Sequence, residues 1–240
     1  MPLLKVQNLI SGYGKMAIIQ GVSLTIEPGD FVALVGPNGS GKSTLIKSIV
    51  GLTNIFEGKV SFQGADITSK KPEYVASLKL GYVPQISNVF TDLTVRENLE
   101  MGGTIIKNSS QRKKLMDQVV SLFPILASRE HQKAGYLSGG ERQMLAVGRA
   151  LMAEPKLLIL DEPAAALAPK MADQLFEKLS EIRTQLGVTI MLVEQNARRA
   201  LSLSNRGIVL IQGKKAFEGT PEQILKDTEL IRLFLGELTV

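Results

Sequence analysis

The sequence predicts an α/β fold in which a mostly parallel sheet is covered by helices on both faces. Short apolar runs typical of buried strands alternate with segments of helical periodicity around residues 31–50 and again after residue 157. Between residues 88 and 154 the alternation stops and helical periodicity dominates. We therefore expect a single domain over 1–240, with a core formed by 1–87 and 155–240 and a helical subdomain inserted at 88–154.

The first half of the chain begins with two segments that alternate as strands and are joined by a turn at residues 11–14. A buried strand and a helix follow, and then two more strands. The predicted elements are strands Leu3–Ile10, Ile18–Ile26 and Phe31–Val35, helix Thr44–Val50, and strands Gly58–Phe62 and Leu80–Val83.

The inserted region carries three helical patterns, the first opened by Thr94 and Glu97 at capping-box spacing. Strands and helices then alternate to the end of the chain. The predicted elements are helices Thr94–Met101, Gln111–Phe123 and Gly139–Ala153, strand Leu157–Leu160, helix Lys170–Leu186, strand Val188–Val193, helix Ala197–Ser204, strands Gly207–Ile211 and Lys215–Glu218, and helices Pro221–Leu225 and Thr228–Leu235.

Composition restricts the class of protein. The 240 residues are 44% hydrophobic, enough for a sizeable core, and hold no cysteine, which excludes disulfides and thiol–metal sites. No apolar run approaches the ~20 residues that span a bilayer, and we expect no signal peptide. The net charge of +5 is scattered; its one tight cluster, Arg112-Lys113-Lys114, is interpreted as a solvated helix face.

Residues 36–43 form a complete G-x-x-x-x-G-K-[ST] phosphate-binding loop between an apolar strand and a helix. Backbone N–H groups of such a loop surround phosphate oxygens, Lys42 reaches the β- and γ-phosphates, and the Ser43 hydroxyl binds Mg²⁺. The alternative is a glycine-rich turn without a ligand. We predict a nucleoside triphosphate site built from Gly36, Pro37, Asn38, Gly39, Ser40, Gly41, Lys42, Ser43 and Thr44.

A second apolar strand, residues 157–160, ends in two acids, Asp161 and Glu162. Acids at the carboxyl edge of a parallel sheet lie beside its phosphate site. Asp161 is then placed to orient Mg²⁺, and Glu162 to polarise an attacking water as a general base. A strand that simply ends in solvated charge is the alternative.

Leu137-Ser138-Gly139-Gly140-Glu141 precedes the acidic strand by about 20 residues, and together these motifs resemble the LSGGQ-type signature and order of ATP-binding cassette (ABC) ATPases. The resemblance covers the whole chain and implies the P-loop cassette fold with an N-terminal antiparallel β subdomain. It implies that Tyr13 stacks on adenine and that Gln85 contacts Mg²⁺ and a transmembrane partner. Ser138, Gly139 and Gly140 would cap the γ-phosphate of a second, head-to-tail subunit.

Two positions differ from the commonest pattern of that family. Gln195 stands where a switch histidine is usual, and Ala168 where the D-loop has aspartate. Gln195 can donate a hydrogen bond to the γ-phosphate but cannot carry a proton. Val-Glu-Gln-Asn at 193–196, Leu-Ala-Pro at 167–169 and the ending at 233–236 resemble one of the two ATPases of branched-chain amino acid importers.

The resemblance implies an ATPase that uses ATP and Mg²⁺ and lies on the cytoplasmic face of the cell membrane. Its expected partners are transmembrane permease subunits and a second ABC ATPase, identical or different, with membrane contact only through the permease and no direct binding of nucleic acid. Three alternatives remain open: another cargo such as urea, short amides or an exported lipid; a soluble ABC protein acting on nucleic acid; and a nucleotide switch that does not hydrolyse.

Overall fold

The computed structural model describes residues 1–86 and 88–230, and in this part the chain forms two compact units. In the described residues, the first unit consists of 1–78 with 189–230, and the second of 79–86 with 88–188. The predicted helix Thr228–Leu235 extends beyond residue 230, and the ending at 233–236 lies wholly outside the described residues.

The first unit contains a four-stranded antiparallel sheet in the order β2-β1-β4-β5. Its apolar side chains alternate with exposed ones, so one face is buried and the other meets solvent. This sheet confirms the N-terminal antiparallel β subdomain. The strands are β1 Leu4–Tyr13, β2 Met16–Ile26, β4 Asn54–Phe62 and β5 Ala65–Asp66.

The turn predicted at residues 11–14 is wrong, because β1 continues through Tyr13 and only residues 14 and 15 turn the chain. Ser11 is fully buried, and its hydroxyl lies 2.7 Å from that of Ser48. Gly12 lies so close to β2 that a Cβ atom would come within 1.9 Å of the Met16 carbonyl oxygen. These residues therefore belong to two closely paired strands and not to a turn.

The first unit also contains four strands in the order β10-β9-β3-β8, of which β9, β3 and β8 are parallel. Strand β3 pairs in parallel with β8 and with β9, and β10 pairs antiparallel with β9. All five residues of β3 and of β8 are buried, as expected for strands covered on both faces. The remaining elements are β3 Phe31–Val35, α1 Lys42–Ile49, α2 Pro72–Ser77, β8 Thr189–Val193, α8 Ala197–Leu203, β9 Arg206–Ile211, β10 Lys214–Gly219 and α9 Pro221–Lys226.

The second unit places helices around the parallel strand pair β6–β7, in which Val83 lies opposite Leu160. Helix α6 is central and packs against α3, α4, α5 and α7. Gly148 allows this close packing, since a Cβ there would lie 2.9 Å from Val119 Cγ1. The elements are β6 Leu80–Val83, α3 Val95–Gly102, α4 Ser109–Leu122, α5 Pro124–Ser128, a 3₁₀ turn at Ala134–Tyr136, α6 Gly139–Leu151, β7 Leu157–Asp161 and α7 Pro169–Leu186.

The predicted capping box is confirmed. The Thr94 hydroxyl accepts from the Glu97 amide at 3.1 Å, and the Glu97 carboxylate accepts from the Thr94 amide at 2.7 Å. The elements missed by sequence reasoning are short: β5, α2, α5 and the 3₁₀ turn have two, six, five and three residues. In the part of the chain that the structure describes, no helix combines the length and apolar character needed to cross a bilayer.

Candidate functional site

The phosphate-binding loop connects the end of β3 to the first residue of α1, Lys42. Gly39 and Gly41 have φ values of +76° and +100°, which side-chain-bearing residues rarely adopt. Gly36 is required for a different reason: a Cβ there would lie 2.1 Å from the Leu210 carbonyl oxygen. The three glycines thus permit the sharp path that brings loop backbone to the start of α1.

Two polar side chains of this loop are buried. The Lys42 ammonium donates to the carbonyl oxygens of Gly36 and Pro37 at 2.8 and 3.1 Å. Ser40 Oγ is buried and has no hydrogen-bond partner among the described residues. A buried hydroxyl without a partner is costly, and a lysine ammonium beside the loop backbone is a donor suited to phosphate oxygens.

The start of α1 is suited to an anion. Gly41 is its N-cap and makes no side-chain capping bond, and the first turn contains no acidic residue. Peptide N–H groups and the positive end of the helix dipole attract phosphate at such a position. Ser43 follows in the first turn and is partly exposed, while Thr44 is buried. The loop residues therefore fit a triphosphate chemically.

Tyr13 lies at the last position of β1, beside the turn at residues 14 and 15, and the residue is 45% exposed. An exposed aromatic ring held on a strand can accept a base by stacking. Asn38 is also exposed, at the tip of the phosphate loop.

In the second unit, Asp161 is the last residue of β7 and Glu162 follows it; both are buried. Glu162 has a φ of +47°, an uncommon conformation for a non-glycine residue and one often found at functional positions. Its Oε2 accepts a hydrogen bond from Gln85 Nε2 at 3.1 Å. Gln85 and Glu162, which were both predicted to belong to the nucleotide site, are thus in direct contact.

Asp161 has a neighbour that sequence reasoning missed. The Tyr82 hydroxyl on β6 lies 3.4 Å from Asp161 Oδ2. The signal was present in the sequence, since Tyr82 lies in the strand that leads to Gln85, but only the register of β6 against β7 brings its hydroxyl to the acid.

The glycine pair 139–140 begins helix α6, and Ser138 is its N-cap. The Ser138 hydroxyl accepts from the Glu141 amide at 3.3 Å, and Glu141 Oε2 accepts from the Ser138 amide at 2.8 Å. Ser138 and Gly139 are exposed, whereas Gly140 is buried against α7, where a Cβ would meet Met171 Cε at 2.5 Å. Ser138 thus caps the helix, and its N-terminus faces solvent.

The two departures from the family pattern have local consequences. Gln195 is exposed just after β8, and the next residue, Asn196, caps α8 by accepting from the Arg199 amide at 3.1 Å. Ala168 is the N-cap of α7 and makes no side-chain capping bond, so an aspartate here would also have capped a helix. His131 is 83% exposed and lies 3.2 Å from Glu130.

The fold and the loop define a nucleotide-binding cassette of the P-loop type. The chain belongs to the ABC transporter family, whose sequence model matches residues 19–165. It is an ATP-binding ABC ATPase.

The most informative curated relatives align over nearly their whole length. The probable branched-chain amino acid transport ATP-binding protein LivF of Archaeoglobus fulgidus is 42% identical over 98% of this chain and 99% of its own. The high-affinity branched-chain amino acid transport ATP-binding protein BraG of Pseudomonas aeruginosa is 39% identical over 98% and 100%. The lipopolysaccharide export system ATP-binding protein LptB of Haemophilus influenzae is 34% identical over 99% and 98%.

Solved structures of ABC transporter cassettes share the fold. A nucleotide-free cassette and one in its ADP conformation each superpose with a TM-score of 0.86, at 29% and 30% identity, over 99% of this chain and 100% of theirs. A dimeric post-hydrolysis cassette with ADP and phosphate has a TM-score of 0.80 at 26% identity, over 91% of this chain and 98% of its own.

Proposed function

We propose that the chain hydrolyses ATP with Glu162 as general base and thereby drives transport of branched-chain or related amino acids through separate permease subunits. The catalytic role is supported by the burial, the backbone conformation and the hydrogen bonding of Glu162. This carboxylate is buried, sits on a left-handed backbone directly after β7, and is held by the Gln85 amide. Burial limits the freedom of this carboxylate, and an ionised carboxylate is an acceptor that can take a proton.

The reaction follows from these residues. Glu162 accepts a proton from a water molecule as the water oxygen bonds to the γ-phosphorus, and the bond to the bridging oxygen breaks to give ADP and phosphate. Lys42 and the N–H groups at the start of α1 stabilise the charge on the phosphate oxygens. Gln85 orients Glu162, and Gln195 contributes one hydrogen bond to the γ-phosphate.

We assign the Mg²⁺ ligands to the Ser43 hydroxyl, the Asp161 carboxylate and the Gln85 amide. All three provide oxygen, the donor that Mg²⁺ prefers. When bound, the ion neutralises phosphate charge. In the described structure the Tyr82 hydroxyl supports Asp161, which keeps the carboxylate oriented.

The cargo is assigned from the relatives. LivF and BraG are named for branched-chain amino acid transport, are more similar to this chain than LptB is, and align with it end to end. The partners that follow are transmembrane permease subunits and a second ATPase, on the cytoplasmic face of the membrane. Lipid export is the second candidate, favoured by the 34% identity to LptB.

The catalytic assignment is tested with Glu162→Gln. The amide keeps the shape of the side chain but cannot take a proton, so ATP turnover should fall by about 10²–10⁴-fold while ATP still binds. Single-turnover hydrolysis and nucleotide titration of the purified chain measure the two effects. Turnover near that of the unmodified chain would refute Glu162 as the base.

The cargo assignment needs its own experiment. The chain should co-purify with membrane subunits whose reconstituted vesicles accumulate leucine, isoleucine or valine when ATP is supplied. Vesicles that are inactive with these amino acids but move lipid would replace the first cargo with the second.

A further inference from the structure

The segment that carries Gln85, described at residues 80–86 and 88, belongs to the second unit and is held there at three points. At its start, β6 pairs with β7, with Val83 opposite Leu160. In its middle, Gln85 donates to Glu162. At its far end, Asn88 Nδ2 donates to Gln143 Oε1 on helix α6 at 2.6 Å.

Glutamine is not the residue that would give position 143 the greatest stability. Its side chain is buried, one amide oxygen accepts the Asn88 bond, and Nε2 has no hydrogen-bond partner among the described residues. An unsatisfied buried donor costs more than one neutral hydrogen bond gains, so an apolar residue of the same shape would be at least as stable. A glutamine at this site therefore needs another explanation.

We propose that Asn88 and Gln143 are positioning residues for hydrolysis: their hydrogen bond fixes the Gln85 segment to the helix that begins with Ser138-Gly139-Gly140. The proposal rests on the proposed role of Glu162. Three residues of extended chain span at most about 10 Å, so anchoring Asn88 limits where the Gln85 amide can lie. Through Gln85 the pair sets the orientation of the Glu162 carboxylate.

Neighbouring contacts extend the anchor beyond Asn88. Asn98 on α3 accepts from the Phe90 amide at 2.8 Å and donates to the Phe90 carbonyl oxygen at 2.9 Å. The Arg149 guanidinium of α6 lies 4.8 Å from the centre of the Phe90 ring. Two side chains of α6, Gln143 and Arg149, therefore contact residues that follow Gln85 in the sequence.

The test is Gln143→Met, which keeps the volume of the side chain and removes both polar atoms. We expect kcat for ATP to fall about tenfold, because small misplacement of a reacting group is costly, with KM changed less than about twofold. The melting temperature should stay the same or rise. Asn88→Ala removes the same hydrogen bond at its partly exposed donor and should also lower kcat with little change in KM. This variant replaces Gln143→Met in the test if Gln143→Met does not fold.

The matched control is Gln111→Met, which removes the 3.0 Å bond from another glutamine of the same unit to Glu154; its kcat should not change. The decisive measurement repeats Gln143→Met in a Gln85→Ala background. If Gln143 acts through Gln85, the second change adds no further loss of kcat. Full additivity of the two losses, or a kcat for Gln143→Met equal to that of the control, would overturn the proposal.

The two hypotheses fail differently. If Glu162→Gln hydrolyses ATP normally, the proposed base is wrong. If Glu162→Gln is inactive and the Gln143 and Asn88 variants keep full kcat, only the positioning pair is wrong.

Discussion

At the scale of single residues, Tyr13 has a backbone fixed by strand pairing and a solvent-exposed aromatic side chain. Its strand pairing with Met16 fixes the backbone, and nearly half of the residue is exposed to solvent. Stacking on adenine is worth about 1–3 kcal/mol by comparison with other base–aromatic contacts, so Tyr13→Ala should raise the Kd for ATP by about 5- to 150-fold. Tyr13→Trp should preserve affinity. Fluorescent-nucleotide titration distinguishes the cases, and equal Kd values for all three proteins would exclude stacking.

Gln195 is expected to contribute modestly to turnover. Its amide can form one hydrogen bond to a γ-phosphate, worth about 0.5–1.5 kcal/mol net, so Gln195→Ala should slow turnover by about 2- to 13-fold. Asn196, which caps α8, is left in place in this variant, so the start of that helix should remain folded. Steady-state ATPase assays provide the measurement. A loss as large as that of Glu162→Gln would make Gln195 central to the chemistry.

At the scale of elements, two helices of the second unit begin with the same capping box, at Thr94 for α3 and at Ser138 for α6. Removing either hydroxyl should cost about 1 kcal/mol, or about 2–4 °C in Tm for a chain of this size. Only Ser138 belongs to the proposed γ-phosphate site, so Ser138→Ala should also reduce ATPase activity of the assembled dimer. Thr94→Ala provides the matched control. Equal activity of the two variants would leave Ser138 with a capping role alone.

At the scale of the whole molecule, the exposed start of α6 suggests an incomplete site. Ser138 and Gly139 are open to solvent, and helix N-termini of this kind bind anions. If two copies pack head to tail, ATP lies between them, and blocking hydrolysis should trap the pair. Glu162→Gln with ATP should shift the chain from monomer to dimer, measured by light scattering with and without nucleotide.

The dimer prediction has a defined control. Lys42→Ala, which removes the phosphate-binding ammonium, should abolish the ATP-dependent shift when added to Glu162→Gln. If Glu162→Gln stays monomeric with ATP, the native pair is heteromeric, and adding the second ATPase should produce the dimer. A monomer under both conditions would contradict the head-to-tail arrangement.

Much of this protein could be predicted from local sequence because the governing interactions are local. The phosphate loop needs glycines where φ is positive, and Gly39 and Gly41 lie at such positions. The capping box at Thr94 depends on residues three apart and forms as predicted, and the structure shows a second one at Ser138. The turn after β1 was misplaced because Gly12 and Tyr13 resemble turn residues, whereas close strand packing determines their conformation.

The sequence by itself determined the class of fold, the phosphate loop, the acidic pair and the family, since each rests on residue types at fixed short spacing. Only the tertiary structure decided which side chains contact each other although they lie far apart in the sequence. The bonds from Gln85 to Glu162, from Tyr82 to Asp161 and from Asn88 to Gln143 join residues 77, 79 and 55 positions apart. Their partners are fixed by the parallel register of β6 on β7 and by the packing around α6, which no local pattern encodes.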